Sequence, residues 1–390
     1  MKVAFVHDYL IQDGGAERVL LALHELFPHA PIFTLLHNRE RAHARFKQLP
    51  IQTSRLNDFP LAPRHYEWYL PFMAQAVEQF DFHGYDVVIS SSSSFAKGVI
   101  CPPQTLHICY CHTPTRFLWH DRNDYVQGLK HSRFVKSILP FYLHHLRQWD
   151  HVAAERPDLY ITNSATSQAR IKRYYQRPSV VIHPPVDVET IPLSTKRGTY
   201  WLAGGRLVSY KRFDLVVKAF SKLHLPLKIY GEGPEERTLR RLAGPKTEFL
   251  GHIDEGTKIE LYQNAIGYLY PQMEDFGISA VEAMAAGRPV IAYRQGGATE
   301  TVIPGVTGEQ FEVQCWEDIA NIVLRFDPSR YTPQRIREHA EQFSKTRFKT
   351  QIKTFIDDAM QTRFMAARLY SPFQIERTPI QSPLLSNSFL

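Results

Sequence analysis

Short apolar runs rich in β-branched residues recur along the chain with helix-length stretches between them, the alternation that parallel sheets built from βαβ units require. Two series are visible. In the first, Val3–Val6, Val87–Ser90, Leu106–Tyr110 and Leu159–Thr162 are predicted strands, and Ala16–Leu26 is a predicted helix with Val19, Leu23, Leu26 and Phe27 on one face. The second opens at Tyr200–Ala203 and continues through Leu227–Tyr230, Tyr268–Tyr270 and Pro289–Ala292, with helix expected over 333–368. Between the series lies Val180-Val181-Ile182-His183-Pro184-Pro185-Val186-Asp187, whose two prolines remove backbone donors and forbid a helix. An extended connection is expected there, dividing an α/β chain into domains 1–188 and 189–345. The tail 371–390, with prolines at 372, 379 and 383 among serines, shows neither period and is expected to be loosely packed.

Two domains also suit the length, because 390 residues exceed the roughly 250 to 300 that one hydrophobic core supports. With 44% hydrophobic and 22% charged residues the chain has a globular composition, and it lacks the run of about 20 apolar residues that a membrane helix needs. The apolar start Val3–Val6 turns polar at His7-Asp8, too soon for a signal-peptide core, and Cys101, Cys109, Cys111 and Cys315 are read as free thiols in a reducing cytoplasm. The net charge of +7 suits nucleic acid, an anionic membrane surface or a phosphorylated substrate. Nucleic acid is disfavoured because the basic residues form no sustained run or recognition motif.

The chemistry concentrates in a few stretches. In Glu274-Asp275-Phe276-Gly277-Ile278-Ser279-Ala280-Val281-Glu282 the first glutamate falls in a loop after a strand. The second falls just over one turn into a helix, where side chains lean back toward the N-terminus. Both carboxylates then face one site, which also receives the amides of Gly277 and Ile278 at a positive helix end suited to a pyrophosphate. A surface helix with two solvated glutamates is the plain alternative. In Gly204-Gly205-Arg206-Leu207-Val208-Ser209-Tyr210-Lys211 the glycines admit a phosphate to the backbone, and Arg206 and Lys211 can neutralise a diphosphate in place of a divalent ion. The same two cations also fit an ordinary helix-start cluster. Asp13-Gly14-Gly15-Ala16-Glu17-Arg18 is a glycine turn between the first strand and helix, and Ser90–Ser94 is a candidate loop whose serines serve as turn residues. Cys109, Cys111 and His112 lack a second ligand pair at zinc spacing, so no metal is expected. The segment Arg133–Trp149 mixes Phe134, Val135, Ile138, Leu139, Phe141, Leu143 and Leu146 with Arg133, Lys136 and Arg147, and Pro140 is expected to interrupt any single helix there. Packing in the first domain or contact with a membrane interface both fit its pattern.

Together these stretches resemble the retaining family 4 glycosyltransferases of the GT-B fold over nearly the whole chain. Tyr110-Cys111-His112-Thr113-Pro114-Thr115-Arg116, Ile161-Thr162-Asn163-Ser164 and His183-Pro184-Pro185-Val186-Asp187 look like the mannosyltransferase branch. The resemblance implies two Rossmann-like domains facing across a cleft, with the last helix, about 346–370, returning to the first domain. It implies that Glu274 contacts the transferred sugar with His112 nearby, that Glu282 holds the ribose, and that Arg206 and Lys211 hold the phosphates. Phe276, Gly277 and Ile278 complete the donor loop, Gly231, His252 and Ile253 line the base, and Gly14 and Gly15 reach across the cleft. The expected reaction takes a hexose, by this reading mannose from GDP-mannose, to a saccharide or lipid-linked saccharide, without cofactor or metal. A peripheral place at the inner membrane face is compatible with it. A sugar epimerase or phosphorylase on the same architecture and a non-catalytic saccharide binder are the rivals.

Overall fold

The computed structural model describes residues 1–120, 133–196 and 198–369, so the tail 371–390 lies outside the described residues. The first sheet comprises β1 (Val3–Leu10), β2 (Ile32–His37), β3 (Ile51–Thr53), β4 (Val87–Ser92), β5 (Leu106–Cys111), β6 (Leu159–Thr162) and β7 (Val180–Val181). Its order is β3-β2-β1-β4-β5-β6-β7 and every pairing is parallel. The second sheet comprises β8 (Tyr200–Gly204), β9 (Leu227–Tyr230), β10 (Thr247–Gly251), β11 (Ala265–Tyr270), β12 (Val290–Tyr293) and β13 (Gly308–Phe311). It is also wholly parallel, in the order β10-β9-β8-β11-β12-β13. Two doubly wound α/β domains result, each with apolar clusters on both faces of its sheet. That two-sided burial is why the central strands read as continuous apolar runs.

In each sheet the order reverses at one point, between β1 and β4 in the first and between β8 and β11 in the second. Open α/β sheets bind ligands at the carboxyl ends of strands beside such a reversal. The turn Gly14-Gly15 follows β1, the Gly204-Gly205 turn closes β8, and the loop carrying Glu274 follows β11. The topology therefore aims these three segments at one crevice.

The chain crosses between domains twice. At the first crossing Val186 donates its amide to Phe343 O (3.0 Å), and Lys345 at the second donates back to Val186 O (3.0 Å), so the two strands of the hinge run side by side. The helix Lys345–Leu369 then lies on the first domain, where Phe348, Ile352 and Ile356, four residues apart, share a cluster with Val3, Phe5 and Leu20. Burying each contributes roughly 1.5 to 3 kcal/mol. Over 333–368 the helix is not continuous: Pro333–Ala340 and a 3-10 turn Glu341–Phe343 precede it, broken by the extended Ser344 at the crossing.

Two further expectations are corrected. The helix Arg133–Ala153 runs through Pro140, whose missing donor costs a helix interior roughly 3 kcal/mol. Buried Leu143 and Leu146 in the first domain's core offset that. The side chains of Arg133, Phe134, Val135, Lys136 and Ile138 lie outside the described residues. Ser90, Ser91 and Ser92 are not turn residues but the end of β4, fully buried and spent on hydrogen bonds inside the domain.

Candidate active site

On the second domain's side, Gly277 (φ +98°) opens the helix Ile278–Ala285 in the left-handed region; a Cβ there would lie 2.6 Å from Tyr270 Oη, so only glycine fits. Tyr270 Oη donates to Glu274 Oε2 (2.6 Å), and Lys211 Nζ lies 3.0 Å from Glu274 Oε1. Burial alone pushes the Glu274 carboxyl upward; Lys211, Tyr270 and Arg116 outweigh it, holding the group below the ordinary glutamate value. Burial likewise opposes charge on Lys211, yet Glu274 holds its pKa above the ordinary value. Four residues into the helix, Glu282 accepts from Lys258 Nζ (3.1 Å) and Tyr262 Oη (3.1 Å).

The first domain supplies the opposite wall. A Cβ on Gly15 would sit 3.1 Å from Ile278 Cδ1, so the glycine turn lets the two domains approach at the helix Ile278–Ala285. Arg18, one turn into the helix Gly15–His24, crosses the gap to Glu282 Oε1 (3.0 Å) and Glu255 Oε1 (2.6 Å). Burial opposes charge on Arg18, and these carboxylates reverse that and hold its pKa up. Arg170 pairs with Asp275, and the Arg116 guanidinium lies 5.3 Å from the Tyr210 ring centre. Burial nevertheless leaves Asp275 above the ordinary aspartate value, Arg170 and Arg116 offsetting only part of it. His112, at the end of β5, is buried and its Nε2 shares a hydrogen bond with Ser91 Oγ (2.8 Å). Burial, aided by His7, lowers its pKa to about 3, so the ring is neutral across the physiological range.

Gly14, Gly15, His112, Lys211, Glu274, Phe276, Gly277, Ile278 and Glu282 all line one interdomain cavity of about 420 Å³. Four others are not brought to it. Arg206 is exposed, its neighbours Gly205 and Leu207 being fixed by Tyr230 O and Glu232 O, and its charge is felt by Tyr66 instead. His252 is exposed and Ile253 packs against the second domain's core. Gly231 (φ +105°) serves a close approach of loops, since a Cβ would lie 2.0 Å from Gly205 O. Arg18, Arg116, Tyr230, Lys258 and Asp275 line the cavity without having been assigned a role from sequence. Arg18, Arg116 and Asp275 sat inside the motifs; Tyr230 ends a predicted strand, and Lys258 lies in an unremarked helix with no motif to signal it.

The cavity thus holds cations already balanced by carboxylates, beside an uncapped helix start: a site that can exchange internal ion pairs for an anionic, hydroxyl-rich ligand. Over residues 13–190 the chain matches the family Glycosyltransferase Family 4, and over 192–343 the family Glycosyl transferases group 1. It is 25% identical over 373 residues to the alpha-1,3/1,6-mannosyltransferase ALG2 of Candida glabrata, covering 78% of each chain. It is 27% identical over 190 residues to the O-antigen chain mannosyltransferase C of Escherichia coli, covering 45% of this chain and 50% of that one. Among solved structures, the Anabaena Alr3699/HepE complex with UDP and glucose superposes with a TM-score of 0.69 at 18% identity, over 92% of this chain and 99% of that one. The sucrose-phosphate synthase of Thermosynechococcus elongatus gives 0.71 at 18% identity, over 93% and 100%. Two matches that between them run from residue 13 to 343, the GT-B architecture and a cleft built from its motifs identify the chain as a member of the family 4 glycosyltransferases.

Proposed function

We propose that this glycosyltransferase moves mannose from GDP-mannose, with retention at the anomeric carbon, to a saccharide or lipid-linked saccharide. The observation that carries the reading is the convergence of Glu274, Glu282, Lys211 and the Gly277 helix start on one cavity walled by the Gly14-Gly15 turn. In this reading Glu282 holds the ribose, and Lys211 with the helix start takes the diphosphate. Glu274 stabilises positive charge developing at the sugar. Arg206, exposed and not part of the cavity lining, has to move to reach the diphosphate. Mannose is favoured by the likeness to the Candida glabrata enzyme along most of both chains. The sugar C1–O bond to the diphosphate breaks, and the acceptor oxygen attacks on the same face. The acceptor proton passes to the departing phosphate oxygen. Lys211 and the helix start supply the charge that a divalent ion supplies elsewhere, so transfer is expected to survive chelation.

The acceptor stays at the level of a saccharide or lipid-linked saccharide, taken up in the cytoplasm. No helix among the described residues is long and apolar enough to cross a membrane. Peripheral contact is part of the proposal, and Phe141, 75% exposed on the helix Arg133–Ala153, is its candidate anchor. The deciding experiment offers the enzyme GDP-mannose, GDP-glucose and UDP-, ADP- and CDP-hexoses, with and without EDTA, and determines anomeric configuration by NMR. Transfer of α-mannose from GDP-mannose in EDTA is expected. Transfer from a UDP-sugar alone overturns the donor, and activity restored only by magnesium or manganese overturns the metal-free mechanism.

A further inference from the structure

Behind His112 lies a buried line of polar groups that the reaction as described leaves unused. Ser91 Oγ, fully buried in β4, is 2.8 Å from His112 Nε2 and 3.1 Å from His7 Nδ1 on β1. The other side of the His7 ring, Nε2, faces Glu17 Oε1 at 3.9 Å, and both side chains are only 3% exposed. Glu17 Oε2 is buried without a hydrogen bond, and a Cβ on Gly14 would lie 2.8 Å from it, so the first glycine of the turn is what leaves room for this carboxylate. Three elements around the strand-order reversal, β1, β4 and the helix Gly15–His24, are joined in one line to a ring on the wall of the cavity.

A serine hydroxyl has one proton. Placed between a nitrogen of each imidazole, it donates to one ring when it accepts from the other, so the tautomers of His7 and His112 are linked. The Glu17 carboxylate breaks the tie by favouring the proton on His7 Nε2, the nitrogen facing it. His7 Nδ1 is then an acceptor for the Ser91 hydroxyl, and Ser91 Oγ accepts the proton on His112 Nε2. That leaves His112 Nδ1, on a ring that lines the cavity, as an acceptor with no hydrogen bond from the described residues. The low pKa of His112 keeps the ring neutral, which the linkage requires.

We propose that Glu17, His7 and Ser91 are positioning residues that fix His112 as the Nε2–H tautomer, so that Nδ1 accepts a hydrogen bond from a hydroxyl of the transferred sugar. The inference rests on the sugar-transfer reading above and deepens it. An acceptor-only nitrogen demands a hydroxyl at that place on the hexose and rejects a deoxy sugar, because a site built to pair with a hydroxyl loses that bond with the analogue.

The test combines a direct view of the tautomer with a double-mutant cycle. Two-bond nitrogen–proton spectra of isotope-labelled histidine in the wild-type enzyme are expected to show His112 protonated on Nε2, and Ser91→Ala to give a mixture. With the preferred donor, Ser91→Ala is expected to lower kcat/KM about tenfold, the scale of one mispaired hydrogen bond, while affinity for the free nucleoside diphosphate is unchanged. In a His112→Ala background the same Ser91→Ala change is expected to cost nothing further. An Nδ1–H tautomer in an active wild-type enzyme, or an equal Ser91→Ala penalty in both backgrounds, overturns the proposal and leaves sugar transfer standing. An Nε2–H tautomer in a protein that transfers sugar from no nucleotide sugar overturns the reading on which the proposal rests.

Discussion

Each glutamate accepts from a tyrosine, but Glu274 is paired with the second domain's Lys211 and Glu282 with cations from both domains, and their losses should differ accordingly. Glu274→Gln is expected to lower turnover by on the order of a hundredfold with little change in nucleotide affinity, because in the proposed function its charge acts on the developing transition state. Glu282→Gln is expected to weaken donor binding about tenfold and spare turnover, since the ribose it is proposed to hold is present equally in ground and transition states. Kinetics with titration calorimetry separates them, and identical profiles refute the division. Lys211→Ala should cost roughly 1.5 to 3 kcal/mol in affinity for the nucleoside diphosphate, as expected for one charge-assisted contact. Acid provides a test of the buried imidazoles. Burial lowers His107 and His112 from 6.5 to about 3. Between those values the unfolded chain binds protons that the native one refuses, so their contribution is complete above pH 6.5 and is lost as pH falls toward 3. Each adds up to about 1.4 kcal/mol per pH unit of slope. Urea unfolding across pH 5 to 6.5 should therefore give a shallower pH slope in His107→Asn, and an unaltered slope disproves the assignment. At this scale the sequence made the motif residues legible because backbone demands and charge are local. Lys258 and the partners of His112 were hidden, because Ser91, His7 and Glu17 meet only when three separate elements are stacked.

Glycine carries the element-scale constraint at the donor loop. In Gly277→Ala the new methyl meets Tyr270 Oη in a backbone conformation that L side chains rarely adopt, which costs about 1 to 3 kcal/mol and displaces the hydroxyl from Glu274. Reduced thermal stability together with reduced turnover is expected; full activity at unchanged melting temperature would show that the loop is soft. The strands legible from sequence, β1, β4, β5, β6, β8, β9, β11 and β12, include every central one, whose burial on both faces writes an apolar run. The strands that escaped lie at or beside the edges. Ile51-Gln52-Thr53 is short with two of its residues exposed, Thr247–Gly251 and Gly308–Phe311 mix polar and apolar residues, and Ile32–His37 is an apolar run that periodicity alone does not distinguish from buried helix. Pro140 misled in the other direction, because packing outweighed a local preference.

At the scale of the whole molecule the domains are fastened across the cleft by Arg18 to Glu282 and Glu255, by Arg170 to Asp275, and by Glu300, which accepts from the amides of Ala165 and Thr166 and pairs with His183. Removing Arg170 and Glu300 together, as alanines, should leave circular dichroism unchanged while enlarging the radius of gyration in small-angle scattering and raising the donor KM. An unchanged radius would mean that apolar contacts alone hold the cleft. The doubled hinge carries a different consequence, one for the order of events during synthesis. Phe348, Ile352 and Ile356 belong to the same cluster as Phe5, so the first domain's core is completed by some of the last described residues to leave the ribosome. Until then the seat of that helix is an open apolar groove beside Val3 and Leu20, while the second domain, encoded between, has everything its own sheet requires. Vectorial synthesis therefore finishes the later-encoded domain first and leaves the earlier-encoded one waiting, exposed to chaperones and to proteolysis, for a helix that arrives across the hinge.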